Sequence, residues 1–295
     1  MPIRAFLMLA LICFLWALNV VVTRLVVSDM GVPPVWYAGL RSLVVVAALL
    51  PWLRPVPPRI IWTMVVTFMV SGGAFALFFI GMQDATPSSS AVVSLSGAPL
   101  TVLLAILILG EKVRWRRGIG IALAFAGVGV AVASPSAWDS SFGLVLVFLS
   151  ALVGALGSVF LKQIDLAPAR LQAWAGLGSA FILIPLSLVT ESGQVGSTLA
   201  GGWYFLAGLL FSALAVSVFA HTLYFDILQR YDANLVAPLS LMTPMFTIAL
   251  GVAITGDEVG PTLLIGAGLA AAGVLVILVR PSRQIFKPLL VRARL

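Results

Sequence analysis

This sequence predicts an all-α integral membrane protein: ten transmembrane helices as two inverted five-helix repeats, with N- and C-termini cytoplasmic. Three observations carry that expectation. Of 295 residues, 61% are apolar and only 9% charged, whereas soluble domains carry about 25% charged residues. The apolar residues fall into runs close to the ~20 residues that a ~30 Å hydrocarbon core requires of a helix. The basic residues collect in alternate connections between the runs, as a positive-inside topology requires.

The spans are read at 5–26, 34–53, 60–81, 88–109, 118–134, 142–161, 170–189, 202–225, 234–255 and 262–279. The first is too long for a secretory signal, and no small-residue cleavage pattern follows it. Pro33-Pro34, the Pro51 to Pro58 cluster, Pro87, Pro135, Pro168 and Pro261 disfavour continuing a helix, and the polar stretch from Glu191 to Gly202 separates the seventh and eighth spans. With the N-terminus inside, all but Arg24 and Arg41 of the 17 Lys and Arg fall on the cytoplasmic side. The opposite loops carry Asp29, Asp84, Asp139, Glu191, Asp257 and Glu258. One helix more or fewer would scramble that asymmetry. The net charge of +7 therefore reads as topology and not as a nucleic-acid surface. The tail 282–295 is basic and is expected to rest against anionic lipid.

The halves echo one another. Gly81 to Arg117 is a polar loop, an apolar run with Pro99 at its middle, and a Gly110-Glu111 end. Leu228 to Glu258 repeats that layout around Pro244, ending Gly256-Asp257-Glu258. Trp16 and Asn19 align with Gly154 and Gly157, and Gly120 and Gly127 align with Gly266 and Gly273. A first unit over 1–135 and a second over 136–281 each hold five spans. An odd number inserts the second copy the other way up, and inverted repeats are a common plan of secondary transporters.

Pro99 with its Gly-Glu helix end, Trp16, Asn19, Arg41 and the glycine-rich fifth and tenth spans resemble the drug/metabolite transporter superfamily. The closer likeness is to its EamA-domain branch of two five-helix units, and within it to bacterial aromatic amino-acid exporters. The likeness covers residues 5–280. Glu258 stands two residues further beyond Pro244 than Glu111 does beyond Pro99, a departure from the pattern. The resemblance implies a multi-pass protein of the bacterial inner membrane that exports amino acids, large neutral or aromatic ones, or related metabolites. The alternatives are an exporter of another amphipathic metabolite or drug, and a non-transport receptor or assembly factor.

The substrate is expected to be a small molecule. No cofactor, metal, nucleic acid or ATP-binding subunit is implied, since the chain has no nucleotide-binding loop and a single cysteine, Cys13. There is no G-x-S-x-G and no H-E-x-x-H, so an enzyme is not expected.

A transport path needs polar or small residues on one helical face. In the fourth span Ser90, Ser94, Gly97 and Thr101 meet that spacing; the equivalent stripe in the ninth is Leu235, Leu239, Met242 and Phe246. Helix–helix packing favours the same small residues. Trp16 and Asn19 share a face of the first span, with Gly157 as the aligned position in the sixth. Asn19 must find a partner within the membrane, either substrate or another helix. Phe78, Phe79 and Trp174 are aromatic candidates for a cavity wall or for plain core. Arg41 is the one clear charge inside a span, read as a carboxylate clamp, a gate partner or a snorkelling residue. His221, the single histidine, shares a face with Ser217 and Tyr224. It is a proton-linked site or a hydrogen-bonded packing residue. Pro99 and Pro244 are the candidate hinges.

Overall fold

Apolar helices, with no strand among the described residues, build the chain in the computed structural model, which describes residues 3–110, 115–133, 141–161, 164–230, 236 and 239–278. They are α1 (Ile3–Asp29), α2 (Pro34–Ala48), α3 (Ile60–Gly81), α4 (Pro87–Leu109), α5 (Trp115–Val132), α6 (Ser141–Leu161), α7 (Pro168–Thr190), α8 (Gln194–Tyr224), α9 (Met242–Thr255) and α10 (Pro261–Leu278). Eight are long and apolar enough to cross a membrane; α2 and α9 are shorter. The Glu111 end of the fourth span, Lys162, Leu235 and the tail 282–295 lie outside the described residues. The second span, expected to run to 53, ends as a helix at Ala48 and finishes in a 3-10 turn, Leu50–Leu53, which contains Pro51. The eighth, expected from 202, is preceded by a helical stretch from Gln194, and the two are separated by the non-helical Gly202 (φ 49°).

Proline opens α2, α4, α7 and α10, where its missing N–H costs no intrahelical bond. Thr86 caps α4, its side chain accepting from Ser89 N at 3.2 Å. Gly110 and Gly256, both left-handed with φ of 64° and 69°, end α4 and α9.

Lipid offers little hydrophobic drive between helices, so close approach through small residues holds such bundles. The α5–α10 contact shows it. A Cβ on Gly127 would lie 2.2 Å from Ala270 N and 2.7 Å from Gly266 O, and one on Gly120 would lie 2.8 Å from Gly273 O. The pairing runs antiparallel: Gly120 meets Gly273, and Gly127 meets Gly266. Leu107, Phe181 and Val189 stand 75–85% exposed, as lipid-facing residues do.

At one end of the bundle, polar residues close helix termini. Arg24 donates to the carbonyls of Met82 (2.8 Å) and Gln83 beyond the last turn of α3. Glu191 accepts from Val35 N and Trp36 N, both at 2.9 Å, and so caps α2. Asp257 caps α4 at Ser88 N, 2.7 Å.

Among the described residues, four π-helical segments interrupt the α-helices: Leu25–Asp29, Met69–Gly73, Phe211–Ala220 and Gly251–Thr255. The last lies between Pro244 and Gly256. A π turn absorbs an extra residue, which accounts for one of the two residues by which the second half is longer here.

Candidate functional site

Pro99 and Pro244 occupy the same local position. α4 breaks at a two-residue turn, Leu95-Ser96, and restarts at Gly97 with Pro99 third in the new helix. α9 starts at Met242 after a turn at Ser240-Leu241, with Pro244 third. A third-position proline has no N–H to offer the preceding turn, and its ring excludes the carbonyl four residues back. α4 is therefore interrupted by a tightened turn just before the proline, with Leu95 and Ser96 still in right-handed helical conformation.

These breaks flank a cavity of about 300 Å³. Its walls are Trp16 and Val20 of α1, Phe78 of α3, Ala91, Ser94 and Leu95 of α4, and Thr243, Pro244 and Thr247 of α9. No ionisable group is among them. Trp16 Nε1 is buried and has no hydrogen-bond partner. Thr243 Oγ1 makes no hydrogen bond of ordinary length and faces the weakly polar Cys13 thiol. The Thr247 hydroxyl is spent on Thr243 O at 2.9 Å. The cavity is thus an apolar chamber with aromatic walls and unspent polar handles at Trp16, Ser94 and Thr243.

Of the residues singled out in the sequence, Trp16, Phe78, Ser94 and Pro244 line this cavity. His221 and Tyr224 adjoin it: their rings lie 5.3 and 4.9 Å from that of Trp16. His221 Nδ1 lies 2.8 Å from Val216 O, a carbonyl that can only accept, so that nitrogen carries the proton.

The others lie elsewhere. Asn19 ties helices together: Tyr37 OH donates to Ser212 Oγ, which donates to Asn19 Oδ1, each at 2.6 Å. Gly157 lets α6 press onto α3, with Met69 and Val70 side chains 2.9 and 2.7 Å from where its Cβ would stand. Phe79 is fully buried among Tyr37, Phe75 and Phe78. Trp174 is buried in α7 and does not line this cavity. Gly97 has only Ala151 Cβ near it, 3.9 Å from where its own Cβ would stand. Pro99 is buried in the restarted α4. Arg41, 3% exposed, does not snorkel; it donates to Ser217 Oγ from Nε (3.0 Å) and Nη2 (2.7 Å).

The stripe expected on α9 is corrected. Leu239, Met242 and Phe246 pack with Leu9, Ile12 and Cys13 of α1, and the cavity side carries Thr243 and Thr247 instead. Both proline-broken helices thus bring hydroxyls to the cavity. Thr243 and Thr247 were legible as an i, i+4 hydroxyl pair around a proline. Val20, Ala91 and Leu95 carried no such signal.

The sequence matches the model of the EamA-like transporter family twice, over residues 3–133 and 141–279. The chain belongs to the EamA-like transporter family. This EamA-like protein is accordingly a multi-pass membrane transporter of metabolites and not an enzyme. Two relatives are each named a probable amino-acid metabolite efflux pump. The one from Salmonella typhimurium is 28% identical over 276 residues, covering 88% of this chain and 91% of its own. The one from Escherichia coli is 26% identical over 278 residues, covering 90% and 92%. A solved crystal structure of a protein shares the fold, with a TM-score of 0.62 at 19% identity over 94% of this chain and 96% of that one.

Proposed function

We propose that this EamA-like transporter exports neutral amino acids, large apolar or aromatic ones first, or metabolites of that kind, across the bacterial inner membrane. It works by alternating access between two inverted five-helix halves, with both termini cytoplasmic. The observation that carries this reading is the cavity between the proline-broken helices. Its volume, about 300 Å³, is at the lower end of small-molecule sites, which run about 300–1,000 Å³. That favours a metabolite over a bulky drug. Its walls bear no net charge, which suits a zwitterion. Trp16 and Phe78 offer ring faces to an apolar side chain, and Trp16 Nε1, Thr243 and Ser94 offer hydrogen bonds to the polar end. The names of the two relatives agree with this substrate class.

Three features support the inverted halves. Pro99 and Pro244 hold equivalent positions behind equivalent turns. The aligned glycines of α5 and α10 meet in exchanged pairs, as a two-fold axis in the membrane plane would place them. The Lys and Arg asymmetry supports the orientation. The test is counterflow in liposomes reconstituted with purified protein and preloaded with one amino acid at a time. Leucine, phenylalanine or a similar residue is expected to exchange without ATP. A full amino-acid panel showing no exchange, with protein verified as folded, sinks the substrate assignment.

A further inference from the structure

Arg41 stands in a second, smaller pocket. The pocket is lined by Arg41 and Ser42 of α2, Ser71 and Phe75 of α3, Gln172 of α7 and Ser217 of α8. Its volume is about 10 Å³, space for one water-sized sphere. Three rings stand between it and the central cavity. Phe75 faces Arg41, whose guanidinium carbon lies 4.0 Å from the ring centroid. Phe79 lies 6.0 Å from Phe75 and 6.3 Å from Phe78, and Phe78 faces the central cavity.

The hydrogen bonds leave capacity over, but no counter-charge among the described residues. Ser217 Oγ accepts from Arg41 and gives its own proton to Ser212 O at 2.9 Å. Ser42 Oγ gives its proton to Ala38 O at 2.8 Å. Arg41 Nη1 is buried with no partner. Among the described residues, the Ser71 hydroxyl and the Gln172 amide make no hydrogen bond, and no carboxylate pairs with Arg41. Unspent donors at Arg41 Nη1, Ser71 and Gln172 gather at a buried positive charge, beside only uncharged acceptor oxygens, those of Ser42, Ser71 and Gln172. A buried charge without a counter-charge is costly.

The backbone around the pocket is also specialised. Ser71 lies in the π segment Met69–Gly73, and Ser212 and Ser217 in the π segment Phe211–Ala220. The wider π turn brings residues five apart into line, which is how Ser217 reaches Ser212 O. Isolated π segments occur frequently at functional sites.

We propose that the Arg41 pocket is an anion site holding one halide-sized monovalent ion, chloride in ordinary salt, as counter-ion to the guanidinium. The pocket is too small for an amino acid. The carboxylate of a substrate would reach Arg41 only if the Phe75–Phe79–Phe78 row moved. The ion therefore locks α2, α3, α7 and α8 together independently of what occupies the central cavity.

The experiment is thermal unfolding of the purified full-length protein, read by intrinsic tryptophan fluorescence. Sodium gluconate is replaced stepwise by chloride or bromide at constant ionic strength. Both halides are expected to raise the midpoint saturably, by about 2–4 °C. Arg41→Gln should abolish the rise, and Ser217→Ala should move its half-point to several-fold higher halide. If Arg41→Gln does not fold, anomalous scattering from bromide in wild-type crystals gives the second reading, with a peak expected beside Arg41 Nη1. Equal midpoints in gluconate and halide, or a rise unchanged in both variants, overturn the site. Stabilisation by an amino acid that depends on Arg41, without any by halide, also overturns it and assigns Arg41 to the substrate carboxylate. A protein that fails in counterflow but shows the halide effect separates this proposal from the transport reading.

Discussion

Asp257, at the end of α9, accepts a hydrogen bond from the backbone N–H of Ser88, in the first turn of α4, at 2.7 Å. That contact joins the two proline-broken helices at their far ends. A helix N-terminus leaves its first N–H groups unpaired and carries partial positive charge, so a carboxylate there is stabilising. The carboxylate is only 8% exposed, and its other oxygen accepts from Thr255 Oγ1 at 2.7 Å. The room comes from Gly251, where a Cβ would lie 2.3 Å from Asp257 Oδ2. Asp257→Ala is expected to lower stability by about 0.5–2 kcal/mol, the range for losing a side-chain cap at a helix N-terminus. Asp257→Asn should cost less, because the amide oxygen still accepts. Gly251→Ala should reproduce most of the alanine loss by pushing the carboxylate off its seat. Denaturant unfolding in detergent measures all three, and an Asp257→Ala protein as stable as the parent removes the contact from the list of fold determinants.

The glycine contact between α5 and α10 predicts a sharp positional contrast. Gly127→Ala places a Cβ 2.2 Å from Ala270 N, a backbone atom that cannot rotate away. The helices must separate, at a cost of about 1–3 kcal/mol for overpacking. Gly129, two residues on, has nothing within 4 Å of its would-be Cβ. Gly129→Ala should be neutral or slightly stabilising through helix propensity. Unfolding midpoints of the two variants, compared under one condition, decide it; equal losses would mean that the tight contact relaxes freely.

The spans were legible because lipid imposes one rule on every helix, a long apolar run between breakers. Pro87, Pro168 and Pro261 marked helix starts for the same reason that they occur there. The faces of the helices were less legible. Ser90, Ser94, Gly97 and Thr101 form one stripe only on an unbroken helix, and the turn at Leu95-Ser96 resets the register between the second and third. The pairing of Ser212 with Ser217 depends on the π segment, whose longer turn no 3.6-residue count reveals. The cap roles of Glu191 and Asp257 were hidden too, because an acidic residue in a loop looks solvated until its helix terminus is found.

Within the cavity, the unspent polar groups give the transport reading its own prediction. Trp16→Phe keeps a ring and removes the only donor on that wall; Thr243→Val keeps the shape and removes the hydroxyl. Each is expected to raise the half-saturating substrate concentration in counterflow about tenfold, the effect of losing one hydrogen bond of ~1–1.5 kcal/mol. Met242→Leu, on the neighbouring face that packs against α1, should leave it unchanged. If Met242→Leu weakens transport as much as Thr243→Val, the substrate contacts the other face of α9 and the cavity assignment fails.

The matched prolines carry the last prediction. Pro99 stands third in the restarted part of α4 and Pro244 third in α9, each behind a two-residue turn. In α4 the segment before the turn lines the cavity, and in α9 the segment after it does. With alanine at position 99, an N–H becomes available to Leu95 O and the ring no longer clashes with that carbonyl. The helix can then run through the turn, since uninterrupted α-helix is the lower-energy state of an apolar segment in lipid. The same holds at 244 for Ser240 O. The variants should therefore fold at least as well as the parent, by yield and by unfolding midpoint. Alternating access should suffer, because the segments on either side of the turn can no longer tilt separately. Pro99→Ala and Pro244→Ala are each expected to slow initial counterflow several-fold, and the double variant more. Trp16→Phe shifts the substrate dependence; the proline variants should lower the maximal rate at unchanged half-saturation. A parallel fall in yield and rate would make the prolines structural kinks and leave the hinge to be sought elsewhere, first in the π segments of α3 and α8.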